Sequence, residues 1–200
     1  MEYILWNRDG VMGKTMAERL GGQYEGPDAY QQPSGRVGNP LDMLKYREMT
    51  EADNEAVAAL VRDNLKQFGL DIPGTVYFDE GLDHLNDYYG DEGRGYYVIE
   101  DDNGKVIGGI GFAGYEPMKD TAELQKLYLA DSAKGSGLGY ELVRFIEDKM
   151  REAGYKQSYL ETHDNLQAAI HIYEKCGYTE IDRPKEVVHS TMNRFFIKAL

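Results

Sequence analysis

The sequence has a single cysteine and no long apolar run. The lone thiol, Cys176, excludes an internal disulfide framework and fits the reducing cytoplasm. No apolar stretch approaches the length of a membrane-spanning helix, and the N-terminus lacks the basic start and apolar core of a signal peptide. We therefore expect a cytoplasmic protein without a membrane partner.

Basic residues are also scarce. The chain has 22 Lys and Arg residues against 35 Asp and Glu residues, which gives a formal net charge of −13. Nucleic acids and anionic membrane surfaces bind proteins through clustered Lys and Arg, so neither is expected as a partner. A small or cationic partner agrees with this charge. The length of 200 residues suits one globular domain with room for a short appendage.

Residues 1–42 differ from the rest of the chain. Glycine and proline interrupt them repeatedly, and they show little periodicity. Their Gly13-Lys14-Thr15 ends like a P-loop, but Arg8 stands where that motif needs its first glycine. We predict an N-terminal arm over 1–42 and one compact domain over 43–200. Such an arm covers a sheet edge or joins a partner subunit, so a homodimer is left open.

From Met43 onward, strand and helix patterns alternate. Apolar residues at helical spacing predict helices that begin near Thr50, Asp79, Leu138 and Ala169. β-forming runs predict strands near 44–48, 96–100, 105–112, 123–129, 158–160, 178–181 and 194–198. Asn103-Gly104 is typical of a hairpin turn between the second and third strands.

The stretch AKGSGLGYEL, residues 133–142, places three glycines between a predicted strand and a predicted helix. A helix N-terminus offers unpaired N–H donors and a partial positive charge, so it binds phosphate well. Glycines let the backbone come close to such a ligand, and Lys134 adds charge. The spacing is not that of a dinucleotide fingerprint, because the third glycine arrives one residue early. A glycine-rich connection that binds nothing is the alternative.

The sequence around these glycines resembles the GNAT superfamily, the Gcn5-related N-acetyltransferases. One family signature falls on Lys134, Gly137 and Gly139, with lysine in place of the usual Arg or Gln. A second signature falls on Ala169-Ile170, 173–175 and 177–178. The resemblance implies an α/β (α+β) fold: a mixed sheet of about six to seven strands, splayed at the cofactor site and flanked by about four helices.

The resemblance implies acetyl-CoA as the acetyl donor and no metal. Backbone N–H groups of residues 134–139 would hold the pyrophosphate, and the strand before them, with a bulge, would pair with the pantetheine arm. Asn165 resembles a pantetheine contact, although it stands eight rather than seven residues before Tyr173. The residues implied to bind acetyl-CoA are Leu127, Tyr128, Leu129, Lys134, Gly135, Ser136, Gly137, Leu138, Gly139 and Asn165.

Two residues are implied as catalytic. Tyr173 is the expected general acid for the departing thiolate, because a thiol pKa near 8.5 and a phenol pKa near 10 make the proton transfer almost balanced. Glu123 lies in the register of the family's general base. It serves either as that base or as a carboxylate that orients the acceptor, and His163 is the weaker candidate.

The acceptor is expected to be a small cationic amine. Residues 71–102 hold ten Asp and Glu residues against Arg94 alone, and in this family they would wall the acceptor side. Tyr77, Phe78 and Tyr89 would offer aromatic faces to an ammonium group. The alternatives are a protein or peptide N-acetyltransferase and a non-catalytic acyl-CoA sensor.

Overall fold

The computed structural model describes residues 44–187 and 189–200, so the predicted arm over 1–42 lies outside the described residues. The described chain folds around one seven-stranded sheet, as predicted. Its strands are β1 (Lys45–Glu48), β2 (Gly95–Glu100), β3 (Val106–Gly114), β4 (Thr121–Leu129), β5 (Gln157–Thr162), β6 (Thr179–Ile181) and β7 (Arg194–Ala199).

Four α-helices flank the sheet within the described chain. They are α1 (Asn54–Gln67), α2 (Leu85–Tyr89), α3 (Leu138–Glu152) and α4 (Gln167–Lys175). Short 3-10 turns precede the first two, at Glu51–Asp53 and Val76–Phe78, with a further one at Glu80–His84. Asp79 stands at the start of that last turn as predicted, but its side chain does not cap it. Over the described residues, no helix is both long and apolar enough to cross a membrane.

The two faces of the sheet carry separate cores. Along β2, Tyr97 and Ile99 point into the core beneath α3 and α4, whereas Tyr96 and Val98 point into the core beneath α1 and α2. This alternation is the period-2 pattern of a strand that is covered on both faces.

The sheet opens between β4 and β5. The strand order is β1-β2-β3-β4-β5-β7-β6, and β4 and β5 are the parallel neighbours. They pair only at Thr121–Gln157, Ala122–Ser158 and Glu123–Tyr159, so β4 continues to Leu129 without a partner on that edge. We call this opening the β4–β5 gap. It confirms the splayed sheet that the sequence predicts.

A β-bulge in β4 lies beside this gap. Gln125 pairs with Gly111 and Tyr128 with Gly109, so two residues of β4 face the single residue Ile110 of β3. Lys126, at the bulge, adopts a left-handed conformation with φ of +50°. A bulge bends its strand and redirects side chains, which here turns the end of β4 away from β5.

Candidate active site

The glycine-rich loop at the start of α3 has several N–H groups without a partner in the protein. Gly135 and Gly137 have φ values of +76° and +88°, a region that favours glycine, and Gly137 is the residue before the first turn of α3. Within the described residues, four N–H groups of this loop donate no hydrogen bond to the protein. They belong to Gly135, Ser136, Gly137 and Gly139. Four free donors at a helix N-terminus fit a pyrophosphate.

The other two members of the loop have different partners. The N–H of Lys134 donates to Ala130 O at 3.2 Å, and that of Leu138 donates to Ser136 Oγ at 3.2 Å. Lys134 Nζ donates to Asp131 and Gln67 at 2.7 Å each. The lysine therefore anchors the loop to the end of α1.

The third glycine, Gly139, allows two helices to pack closely. Gly139 lies inside α3, and a Cβ there would stand 2.6 Å from Ile172 Cδ1 of α4. A contact this short forces the neighbouring side chain to move. Two of the three glycines thus shape the loop, and the third lets the two helices approach.

The free edge of β4 offers backbone groups to a ligand in the β4–β5 gap. Ala130 donates its N–H to Ile107 of β3, so the N–H of Leu129 points to the opposite, open edge. The carbonyl of Leu129 accepts a hydrogen bond of 3.0 Å from Asn64 Nδ2 of α1. Asn64 is a buried residue that the sequence analysis missed. Leu127 and Leu129 both pack on the α3–α4 core.

Tyr173 lies in the same core, on α4. Its ring packs against Tyr178 and Phe196, with centroids 6.0 Å and 6.4 Å away. Burial, followed by the nearby Cys176, raises the pKa of the Tyr173 phenol. Its hydroxyl makes no hydrogen bond with any described residue. The phenol therefore stays protonated, and its proton is less acidic than the sequence argument assumed.

Glu123 stands at the last paired position before β4 and β5 separate. The carboxylate is buried, and Gln125 Nε2 donates to its Oε2 at 2.6 Å. Gln125 is held in turn by the Tyr89 hydroxyl, which donates to its Oε1 at 2.9 Å. Burial raises the pKa of Glu123, while Gln125, Lys126 and His189 oppose the shift. This combination keeps a buried carboxylate ready to accept a proton.

A second carboxylate, Glu161 of β5, belongs to the same site. Its Oε1 accepts a hydrogen bond of 3.1 Å from the Tyr159 hydroxyl. Its Oε2 is sealed from solvent and has no hydrogen-bond partner within the described chain. Burial and the charge of Glu123 raise the pKa of Glu161. No local sequence pattern marks Glu161, which lies two residues after Tyr159, the partner of Glu123 in the sheet.

Two loops meet on the side that the sequence analysis assigns to the acceptor. His189 Nε2 and Asp79 Oδ2 are 3.0 Å apart, and Thr191 Oγ1 donates to Pro73 O at 3.1 Å. Burial opposes ionisation of Asp79, but His189 and Lys126 hold its pKa below the ordinary value. The loop after α1 and the loop before β7 are thereby joined into one wall.

The aromatic residues predicted for the acceptor differ in exposure. Tyr77 is half-buried and packs on Phe78 with ring centroids 4.9 Å apart, and Phe78 is 58% exposed. Tyr89 does not offer the open aromatic face that the sequence predicted. It is buried, and the ammonium of Lys126 already lies 5.9 Å from its ring centroid.

Asn165 is exposed and lies in the loop after β5. Its Nδ2 donates to the carbonyl of Phe68 at the end of α1 at 3.0 Å, and its N–H donates to His163 Nδ1 at 3.1 Å. Because α1 packs on β4, this bond connects elements on the two sides of the β4–β5 gap.

The acidic segment does not form one continuous wall. Glu100 pairs with Arg47 at 2.5 Å, and Asp101 accepts the N–H groups of the hairpin turn. This hairpin lies at the Leu129 end of β4, because Gly108 pairs with Leu129, about 20 Å along the strand from Glu123. Within 71–92, Asp79 and Asp83 pair with His189 and Arg62. No group of three potential metal ligands occurs among the described residues.

Comparison with known proteins agrees with this geometry. Residues 57–178 match the model of the Acetyltransferase (GNAT) family. "Uncharacterized N-acetyltransferase YjgM" of Escherichia coli K12 is 37% identical over 138 residues, which cover 68% of this chain and 82% of that protein. A GNAT-family acetyltransferase structure from Staphylococcus aureus Mu50 has a TM-score of 0.70 at 18% identity, covering 78% of this chain and 98% of that one.

A further solved structure shares the fold at similar distance. Spermidine N-acetyltransferase from Vibrio cholerae, in complex with CoA and spermine, has a TM-score of 0.59 at 19% identity and covers 79% of this chain and 96% of its own. At such identity the likeness concerns the fold. The family match and the relative from E. coli carry the assignment. The chain belongs to the GNAT family and is an acetyl-CoA-dependent N-acetyltransferase.

Proposed function

We propose that this enzyme transfers the acetyl group of acetyl-CoA directly to the primary amine of a small cationic molecule. The observation that carries the proposal is Glu123, a buried carboxylate held by Gln125 at the point where β4 and β5 separate. A carboxylate in that position meets an amine that approaches the β4–β5 gap from the acceptor side.

Glu123 acts in this proposal as the general base. An ammonium group must lose a proton before its nitrogen attacks a carbonyl carbon. Its raised pKa makes the Glu123 carboxylate a stronger base than an exposed glutamate. Glu161 supports the same role, because its unpaired Oε2 offers a further acceptor for an amine proton.

The donor half of the site is built from backbone. Acetyl-CoA supplies a thioester whose carbonyl carbon is the acetyl source. The free N–H groups of Gly135, Ser136, Gly137 and Gly139 would hold its pyrophosphate, and the open N–H of Leu129 would meet the pantetheine arm. Tyr173 Oη holds a proton for the departing sulfur.

The protonation state of Cys176 supports direct transfer. Burial raises the pKa of Cys176 to about 11, so its thiol stays protonated. A protonated thiol is a poor nucleophile for an acetyl-cysteine intermediate. Direct transfer predicts sequential rather than ping-pong kinetics.

Two features support a small cationic acceptor: the wall formed by the loop after α1 and the loop before β7, and the nearby carboxylates. The Asp79–His189 and Thr191–Pro73 contacts join two loops into a wall, and a wall beside the acceptor favours a slender molecule over a folded protein. Glu123 and Glu161 present carboxylates to it. The Vibrio cholerae enzyme with bound spermine shows that a related fold holds a linear polycation.

The test is release of CoA thiol with a panel of diamines, polyamines, aminoglycosides, amino acids and basic peptides. We expect cationic amines to be the best substrates, with KM rising as salt screens the attraction. Glu123→Gln should lose most activity, whereas Glu116→Gln, an exposed site on the β3–β4 turn, should lose none. Best turnover of a folded protein, or acetyl-CoA binding without any turnover, would refute the proposal.

A further inference from the structure

Lys126 occupies an unusual place beside the proposed base. The bulge in β4 and its φ of +50° turn the side chain toward the α1–α2 side of the sheet. There its ammonium lies 5.9 Å from the centroid of the Tyr89 ring. The negative charges of Asp79 and Glu123 act on this ammonium.

The ammonium of Lys126 has no directly bonded partner within the described residues. Its ammonium makes neither a hydrogen bond nor an ion pair there. Each neighbouring carboxylate has one oxygen on another partner, because Asp79 Oδ2 contacts His189 and Glu123 Oε2 accepts from Gln125. Burial accordingly lowers the pKa of Lys126, while Asp79 and Glu123 oppose the shift. A half-buried ammonium of this kind gains from an anionic partner.

The acceptor side therefore combines charges of both signs. Glu123 and Glu161 each have one oxygen without a hydrogen-bond partner within the described chain, and the charges of Glu123 and Asp79 act on the ammonium of Lys126. A simple polyamine would satisfy the carboxylates and leave Lys126 facing a second cation. A molecule with amines and one carboxylate would satisfy both.

We propose that Lys126 binds a carboxylate of the acceptor, so that the preferred acceptor is a cationic amino acid with two amines and one carboxylate. This inference rests on the proposed function and narrows its substrate class. The reacting amine lies by Glu123 and Glu161, and the carboxylate of the acceptor lies on Lys126 Nζ. Lys126 is thus a specificity-determining residue.

Substrate pairs that differ only in one carboxylate test this assignment. Free lysine is compared with cadaverine and free ornithine with putrescine, with kcat/KM measured for each. We expect the wild-type enzyme to prefer the carboxylate-bearing member by about 10- to 100-fold, the size of a hydrogen bond to a charged group. Lys126→Met should remove this preference, and Lys126→Arg should retain most of it.

Lys105→Met is the matched control. It removes the same charge from an exposed residue at the β2–β3 turn and should leave the preference intact. A loss of activity in Lys126→Met that is equal for both members of a pair would assign Lys126 to the ionisation of Glu123 and overturn the inference. So would a wild-type preference for the diamines, which would leave the proposed function standing. Absence of turnover with all four amines would defeat both.

Discussion

Gln125 and Glu123, two residues apart on one face of β4, are joined by a hydrogen bond of 2.6 Å from Gln125 Nε2 to Glu123 Oε2. The Tyr89 hydroxyl fixes the other end of the amide at 2.9 Å. An amide that donates to a carboxylate stabilises its ionised form and fixes its direction. This short chain of side chains links α2 to the point where the sheet opens.

The first prediction concerns the pH dependence of catalysis. If Glu123 is the base, kcat/KM rises with pH as Glu123 ionises. Gln125→Leu removes a hydrogen bond that lowers the pKa of Glu123, so this acidic limb should move to higher pH. Tyr89→Phe should move it in the same direction by less, because it frees the amide without removing it. If the acidic limb of the kcat/KM profile stays at the same pH in both variants, it reports a group other than Glu123.

The second prediction concerns stability. The pKa of Glu123 is raised by burial above its unfolded value of about 4.5, so the folded state holds its proton more tightly. The contribution of Glu123 to stability should therefore fall as pH rises through its folded pKa. Glu123→Gln removes this cost and should melt at a higher temperature than wild type at pH 8, with the difference vanishing near pH 4.

Thermal melts from pH 4 to pH 8 without acetyl-CoA measure this effect. Glu116→Gln provides the control, since that exposed residue should show no such pH-dependent gain. A Glu123→Gln variant less stable than wild type at every pH would show that the ionised carboxylate supports the fold.

The sequence predicted the elements better than it predicted the site. Leu138, Leu142 and Ile146 repeat at helical spacing, and all three are fully buried in α3. The Asp79–His189 contact joins residues 110 positions apart, and no local pattern signals it. Glu161 became part of the site only through the register of β5 beside β4. Such contacts depend on how strands and loops meet, which residue periodicity does not encode.

The third prediction separates ligand binding from backbone strain. Gly137 and Gly154 flank α3 and have φ values of +88° and +92°. Alanine at either position costs about 1 kcal/mol in this region, so both variants should lose similar stability. Only Gly137→Ala alters the loop with free N–H groups, so only it should weaken acetyl-CoA binding in calorimetry. Equal affinity in the two variants would move the pyrophosphate away from this loop.

The fourth prediction concerns the domain boundary. β1 begins at Lys45 and forms the edge of the sheet by pairing with β2. A chain that starts at Met43 retains every described element and should fold with a cooperative thermal transition and bind acetyl-CoA. Aggregation of this shortened chain under conditions where the full chain stays monodisperse would show that the compact unit starts earlier.

The last prediction concerns Tyr173 and uses Tyr178 as its counterpart. Both phenols are buried on the α3–α4 side, and their rings contact each other. The Tyr178 hydroxyl shares a hydrogen bond of 2.7 Å with Ser158 Oγ, whereas that of Tyr173 has no such partner within the described residues. Tyr173→Phe should therefore lower kcat by roughly 10²-fold, the size of lost general-acid assistance, with little change in melting temperature or acetyl-CoA affinity. Tyr178→Phe should lower the melting temperature, because removing one partner of a buried hydrogen bond costs about 1–3 kcal/mol of stability. It should leave kcat nearly unchanged, because the proposed proton donor, Tyr173, is still present. Unchanged turnover in Tyr173→Phe would leave that phenol a packing residue and require another donor for the departing thiolate.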